Sequence, residues 1–93
     1  MEIKYSVVFH PAVIADDIPK IDTFWRNEIR NAIRGKLATG PDEYGKPLRR
    51  SLKGCRVLRV GDYRTVFQIK NRVVRVIAVV HRSVVYAVAE KRI

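Results

Sequence analysis

Lys53, Arg59, Arg64, His81, Arg82 and Tyr86 are the residues of this chain whose types handle phosphate and protons, and they fall within one stretch of its second half. Arginine suits a phosphate because its planar fork donates two hydrogen bonds at once. Histidine and tyrosine transfer protons, and a lysine can clamp an anion or act as a base. Together such groups fit phosphoryl transfer on RNA without a metal. There the neighbouring 2′-OH attacks, a base removes its proton, cations gather around the phosphorane oxygens, and an acid protonates the leaving 5′ oxygen. The plain alternative is a solvated sheet face, with Tyr86 an ordinary packing residue. No Gly-rich phosphate loop, paired carboxylates or Ser/His/Asp constellation is present. A single Cys55 and two separated histidines, His10 and His81, make neither a disulfide nor a zinc site, so no metal and no cofactor is expected.

The elements that must position these residues are read from hydrophobic period. From Leu52 to Val60 basic and apolar residues alternate, Gly61-Asp62 interrupts, and Tyr63 to Lys70 resumes the alternation, the pattern of two strands joined by a tight turn. Lys70-Asn71-Arg72 is a second short connection, and the β-branched run Val73 to Val80 is a third strand ending at His81-Arg82. This predicts an antiparallel meander with Lys53 at its entry. Alternation places Cys55, Val57 and Arg59 on one face and Arg56, Leu58 and Val60 on the other. Arginines among valines are costly in a small core, so Arg59 and Arg64 must reach a rim, pair, or face an open side of the sheet.

Upstream, Ile3 to Phe9 reads as a further strand, stopped by His10-Pro11. Pro11 suits a first helical turn, Ala12 to Asp17 gives a short helix, and His10 fits a cap better than a catalytic role. Ile21, Trp25, Ile29, Ile33 and Leu37 recur at helical spacing, with Phe24 and Ala32 widening the stripe, and predict an amphipathic helix over 20–38 with Asp22 near its N-terminus. Its other face carries Arg26, Arg30, Arg34 and Lys36. Thr39 to Ser51, with Gly40, Pro41, Gly45 and Pro47, reads as a loop. Ser83 is an N-cap candidate for a short C-terminal helix, although Val84, Val85 and Val88 would also suit an extra strand. The expected architecture is a single α+β domain over 1–93, in which two N-terminal helices pack on a four-stranded, mainly antiparallel sheet followed by that helix.

With 19 Lys and Arg against 9 Asp and Glu, the formal net charge is +10. A basic excess of this size in 93 residues favours a polyanionic partner, nucleic acid first and an acidic protein second. No apolar run approaches the roughly 18 residues of a membrane span. Met1-Glu2-Ile3-Lys4 does not begin a signal peptide, so no membrane contact and a cytoplasmic location are expected.

The order Leu-Lys-Gly at 52–54, Arg-Val-Gly-Asp-Tyr-Arg-Thr-Val-Phe at 59–67 and Val-Val-His-Arg-Ser-Val-Val-Tyr at 79–86 resembles the RelE/ParE toxin superfamily, most of all its RelE branch. The resemblance covers nearly the whole chain. It implies a ribosome-dependent endonuclease that cuts messenger RNA in the A site and is held inactive by a cognate antitoxin, acidic and partly disordered when free. By motif position it makes Arg59 and Arg82 phosphate ligands, Lys53 a clamp or base, and Tyr86 a proton-transfer or stacking residue, with His81 beside them. Lys46, Arg49, Arg50, Arg56 and Arg64 are expected to bind RNA. Ser51 stands where the RelE pattern has a further lysine, which leaves the base unassigned. The superfamily's other branch has the same fold, inhibits DNA gyrase and cuts no RNA. A basic nucleic-acid-binding module and an inactive relative that only binds antitoxin are the remaining alternatives.

Overall fold

The computed structural model describes residues 4–93. Its sheet follows the meander read from the sequence: β3 (Arg56–Val60), β4 (Tyr63–Lys70) and β5 (Val73–His81) pair antiparallel in turn. Both hairpin loops have two residues. Gly61 takes φ +60°, and Asn71 and Arg72 take φ +50° and +64°, the left-handed conformations that match the twist of tight hairpins. The N-terminal strand β1 (Ser6–Phe9) lies parallel to β5, and the expected start of that strand at Ile3 is outside the described residues.

The sheet has five strands rather than four, in the order β1-β5-β4-β3-β2. The extra strand, β2 (Lys46–Pro47), lies within the segment expected to be a loop. It pairs only at Lys46↔Val57 and Pro47↔Arg56, and an edge position tolerates a proline because no ladder N–H is needed there. The same segment holds a one-turn helix, Pro41–Tyr44, with Pro41 in its first turn. The meander also starts later than expected, at Arg56, because Arg50–Leu52 is a tight helical turn and Gly54 sits at φ +95°.

The N-terminal helical segment covers one face. It runs from Pro11 through a wide turn at Val13–Asp17 and a tight one at Ile18–Lys20 to α1 (Thr23–Ala32), then widens again over Ile33–Leu37. His10 caps its start, Nδ1 accepting the Ala12 N–H at 3.0 Å. Asp22 caps α1 by accepting the Trp25 N–H at 2.9 Å. Ile21, Ile29, Ile33 and Leu37 of the predicted stripe are buried, together with Val13, against Leu58, Phe67, Val74, Val76 and Val79, while Trp25 is partly buried against the same core. Each such side chain contributes about 1.5–3 kcal/mol over leaving it in water. Phe24 does not join them: it is 62% exposed, with its ring edge-on to that of Trp25.

The opposite face is covered by the C-terminal helix α2 (Val85–Arg92), where Val85 and Ala89 pack on Leu52, Cys55, Val66, Ile77 and Ala78. Ser83 is not its cap, for the helix is entered through Val84 without a side-chain cap. Two cores therefore share one sheet, and an irregularity in β5 allows it. Val66 pairs with Ala78 and Phe67 with Val76, so Ile77 is an extra residue that bulges the strand and shifts its alternation by one. A buried ion pair joins the two sides. Arg92 donates to Asp17 Oδ2 at 2.7 Å and Oδ1 at 2.9 Å, and the Val79 N–H donates to the same carboxylate at 2.9 Å.

Candidate functional site

Arg59, Arg64, His81, Arg82 and Tyr86 line one cleft of about 360 Å³, floored by Leu48, Val57 and Val85. Each element delivers its share by simple geometry. Arg59 and Val57 point to the α2 side of β3 by alternation, and Arg64 is the residue opposite Arg59 on β4. β5 ends at His81, and the chain turns at Arg82 into the helix that carries Tyr86. The Arg82 N–H donates to the Asp62 carbonyl at 2.8 Å, fixing the chain at the cleft mouth beside the β3–β4 turn.

The cations are not neutralised in place. Arg59 and Arg64 have no ion-pair partner among the described residues, and Arg82 Nε stands 3.5 Å from Asp62 Oδ1 with both side chains mostly in water, where such a pair is worth little. Arg64 uses one nitrogen on the carbonyls of Gly61 and Tyr63, which leaves its remaining donors for a ligand. His81 is edge-on to Tyr63, itself tilted against Trp25. Its Nδ1 accepts the Ser83 N–H at 3.1 Å and lies 2.8 Å from Ser83 Oγ. A nitrogen that accepts from a backbone N–H carries no proton of its own, so the neutral ring presents Nε2–H as a donor.

The other expected residues are distributed differently. Lys53 lies on the exposed turn after Arg50–Leu52, where its N–H bonds the Arg50 carbonyl, and lines neither the cleft nor its neighbour. Arg49 and Arg50 line an adjoining groove with Ser51 and Glu90, and Leu48 and Tyr86 form the wall between the two. Arg56 faces away from Arg59 and donates to the Gly45 carbonyl at 2.8 Å, a tie that holds the Pro41–Tyr44 helix rather than a ligand. Lys46 is exposed on β2.

Several contributors were missed by sequence reasoning. Asp62 was read only as a turn residue, and Glu90, whose carboxylate accepts from Ser51 Oγ, was not singled out. An acidic residue one helical turn beyond Tyr86 was the available signal. Cys55 adds no nucleophile: it is buried beneath α2, and burial pushes its thiol up, against a smaller opposing effect of the Gln68 amide that donates to it.

The family described as the ParE toxin of type II toxin-antitoxin system, parDE, matches residues 7–86. Among solved structures, the toxin-antitoxin complex RelBE2 from Mycobacterium tuberculosis is similar at 30% identity, over 86% of this chain and 100% of that chain, with a TM-score of 0.78. A mutant of the Escherichia coli toxin RelE in the free state is similar in fold, at 23% identity over 98% of this chain and 99% of that one, with a TM-score of 0.67. No curated protein sequence matches.

Proposed function

Because this chain belongs to the ParE toxin family of type II toxin-antitoxin systems, within the RelE/ParE superfamily, we propose that it is a toxin of the RNA-cutting kind, a ribosome-dependent endonuclease acting on messenger RNA in the A site. The observation that carries this is the meeting of Arg59, Arg64, Arg82, His81 and Tyr86 in one cleft. The 2′-OH attacks phosphorus and the P–O5′ bond breaks, leaving a 2′,3′-cyclic phosphate and a 5′-OH. Arg59 and Arg82 hold the non-bridging oxygens, which gain charge as the phosphorane forms. The phenol of Tyr86, 59% exposed, stacks on a base or gives a proton to the leaving oxygen. His81 serves as an N–H donor to the phosphate, since its Nδ1 is held by Ser83. Lys53, the residue expected as base, lies outside the cleft, so removal of the 2′-OH proton falls to a group of the ribosome-bound RNA or to solvent.

The reaction places the protein in the cytoplasm, with the ribosome, messenger RNA and a cognate antitoxin as partners. No helix among the described residues is long and apolar enough to cross a membrane. An acidic antitoxin segment suits a chain of charge +10.

The test is induced expression in a bacterium, with 5′-end mapping of messenger RNA on translating ribosomes. Codon-phased cuts that disappear with Arg82→Ala support the reading. The second reading is gyrase inhibition without cleavage, favoured by the family description and by the lack of a side chain placed as a base inside the cleft. Arrested growth with intact messenger RNA and blocked supercoiling would put it first.

A further inference from the structure

Beside the cleft lies a groove of about 420 Å³ that no step of the cleavage uses. Arg49, Arg50 and Ser51 form one side, and Tyr86 and Glu90 the other, one helical turn apart on the same face of α2. Two features there call for a reason. Arg50 is held at φ +58°, a left-handed conformation that costs a non-glycine residue energy and clusters at ligand sites. Glu90 is the one carboxylate among the residues lining either recess, in surroundings otherwise suited to polyanion binding. A carboxylate there repels phosphate, so its presence fits a ligand that offers hydrogen-bond donors. Ser51 donates to one of its oxygens, and the other has no hydrogen-bond partner among the described residues, so the carboxylate keeps acceptor capacity in a residue that lines the groove.

We propose that this groove holds the RNA base next to the scissile phosphate, and that Glu90 reads it as guanine. The inference rests on the nuclease reading. Guanine is the base whose Watson–Crick edge carries two adjacent donors, N1–H and N2–H, which match the two oxygens of one carboxylate. Unstacked bases in single-stranded RNA expose that edge. Tyr86, shared by cleft and groove, supports the base face while Arg49 and Arg50 take the next phosphate. Glu90 thus determines specificity without taking part in bond breaking.

The test is 5′-end mapping on ribosomes programmed with messages that differ only in the base beside the cut, using the wild-type chain, Glu90→Gln and Ser51→Ala. The wild type is expected to favour guanine by roughly tenfold or more over the other bases, the size of a good bidentate contact. Glu90→Gln, isosteric and still able to accept from Ser51, is expected to move the preference to adenine, whose edge pairs a donor with an acceptor as an amide does. Ser51→Ala should weaken the guanine preference several-fold without changing its identity. Cutting by Glu90→Gln with the wild-type preference, or wild-type cutting that ignores guanine, overturns this inference and leaves the nuclease reading intact. No cutting by the wild type overturns both.

Discussion

Arg59 and Arg64 stand directly opposite each other across the β3–β4 hairpin, two like charges at the closest kind of cross-strand position. Such a pair is unfavourable in the free protein. It is relieved by an anion bridging the two, so the same feature that weakens the fold prepares the site. Arg59→Gln is expected to raise the melting temperature by about 2 °C in low salt. The gain should shrink in high salt as screening weakens the repulsion. Growth arrest should be lost in the same variant. Thermal melts at two ionic strengths, alongside the arrest assay, check this; a lower melting temperature in low salt would mean the guanidinium is a structural asset.

Gly61 carries both a backbone and a packing constraint. It occupies φ +60° in the β3–β4 turn, and a Cβ there would run into the Trp25 ring. Gly61→Ala is expected to cost about 2 kcal/mol or more. Because Asp62 holds Arg82, cleft function should fall with it. Urea unfolding gives the energy, and Gly61→Ala combined with Trp25→Leu, which opens the space, should recover part of it.

The Asp17–Arg92 pair is nearly sealed from solvent, with side-chain exposures of 4% and 13%. The Arg92 guanidinium is held above its ordinary value, first by its hydrogen bond to Asp17 and against the opposing effect of burial. Asp17→Asn leaves a buried cation without its counter-charge and is expected to cost about 3 kcal/mol, measured by urea unfolding. The double variant Asp17→Leu with Arg92→Met should be closer to the wild type than either single change, since both charges are then absent.

Cys55 supplies a pH-dependent stability. Its thiol is raised above the ordinary 9.0 by burial. The contribution of the protonated form is therefore complete below that pH and is lost as pH rises through the raised folded value, because the unfolded chain releases its proton first. Stability should decline above pH 9.0 in the wild type and decline less in Cys55→Ala. Alkylation of the native protein at neutral pH should be slow and should speed up only on unfolding.

The meander was legible because alternation persists through β3 and β4, and it also put Arg59 on the face that carries the cleft. The helical stripe was legible for the same reason, except that Phe24 is a flank residue that spacing cannot separate from the stripe. β2 was not, since two residues have no period. Arg56 and Arg64 are indistinguishable as letters, and only the partners tell them apart: one is committed to the Gly45 carbonyl while the other borders the cleft. The contact of Asp17 with Arg92, 75 positions away, has no local signature at all. Ser83 looked like a helix cap but is engaged by His81, its nearer competitor.

The bulge at Ile77 has a bearing on which lengths of chain this architecture can accept. Residues before it present Val74 and Val76 to the N-terminal helices, and residues after it present Val79 to the same side, with Ile77 and Ala78 both turned to α2. Removing Ile77 itself would turn the bulge into plain alternation and leave Val79 and His81 on their present sides, whereas removing a residue before or after the bulge would put one part of β5 on the wrong face. The surface turn at Asn71-Arg72 is free to vary in length by comparison. Related chains should therefore gain and lose residues at the hairpin tips, and within β5 only at the bulge.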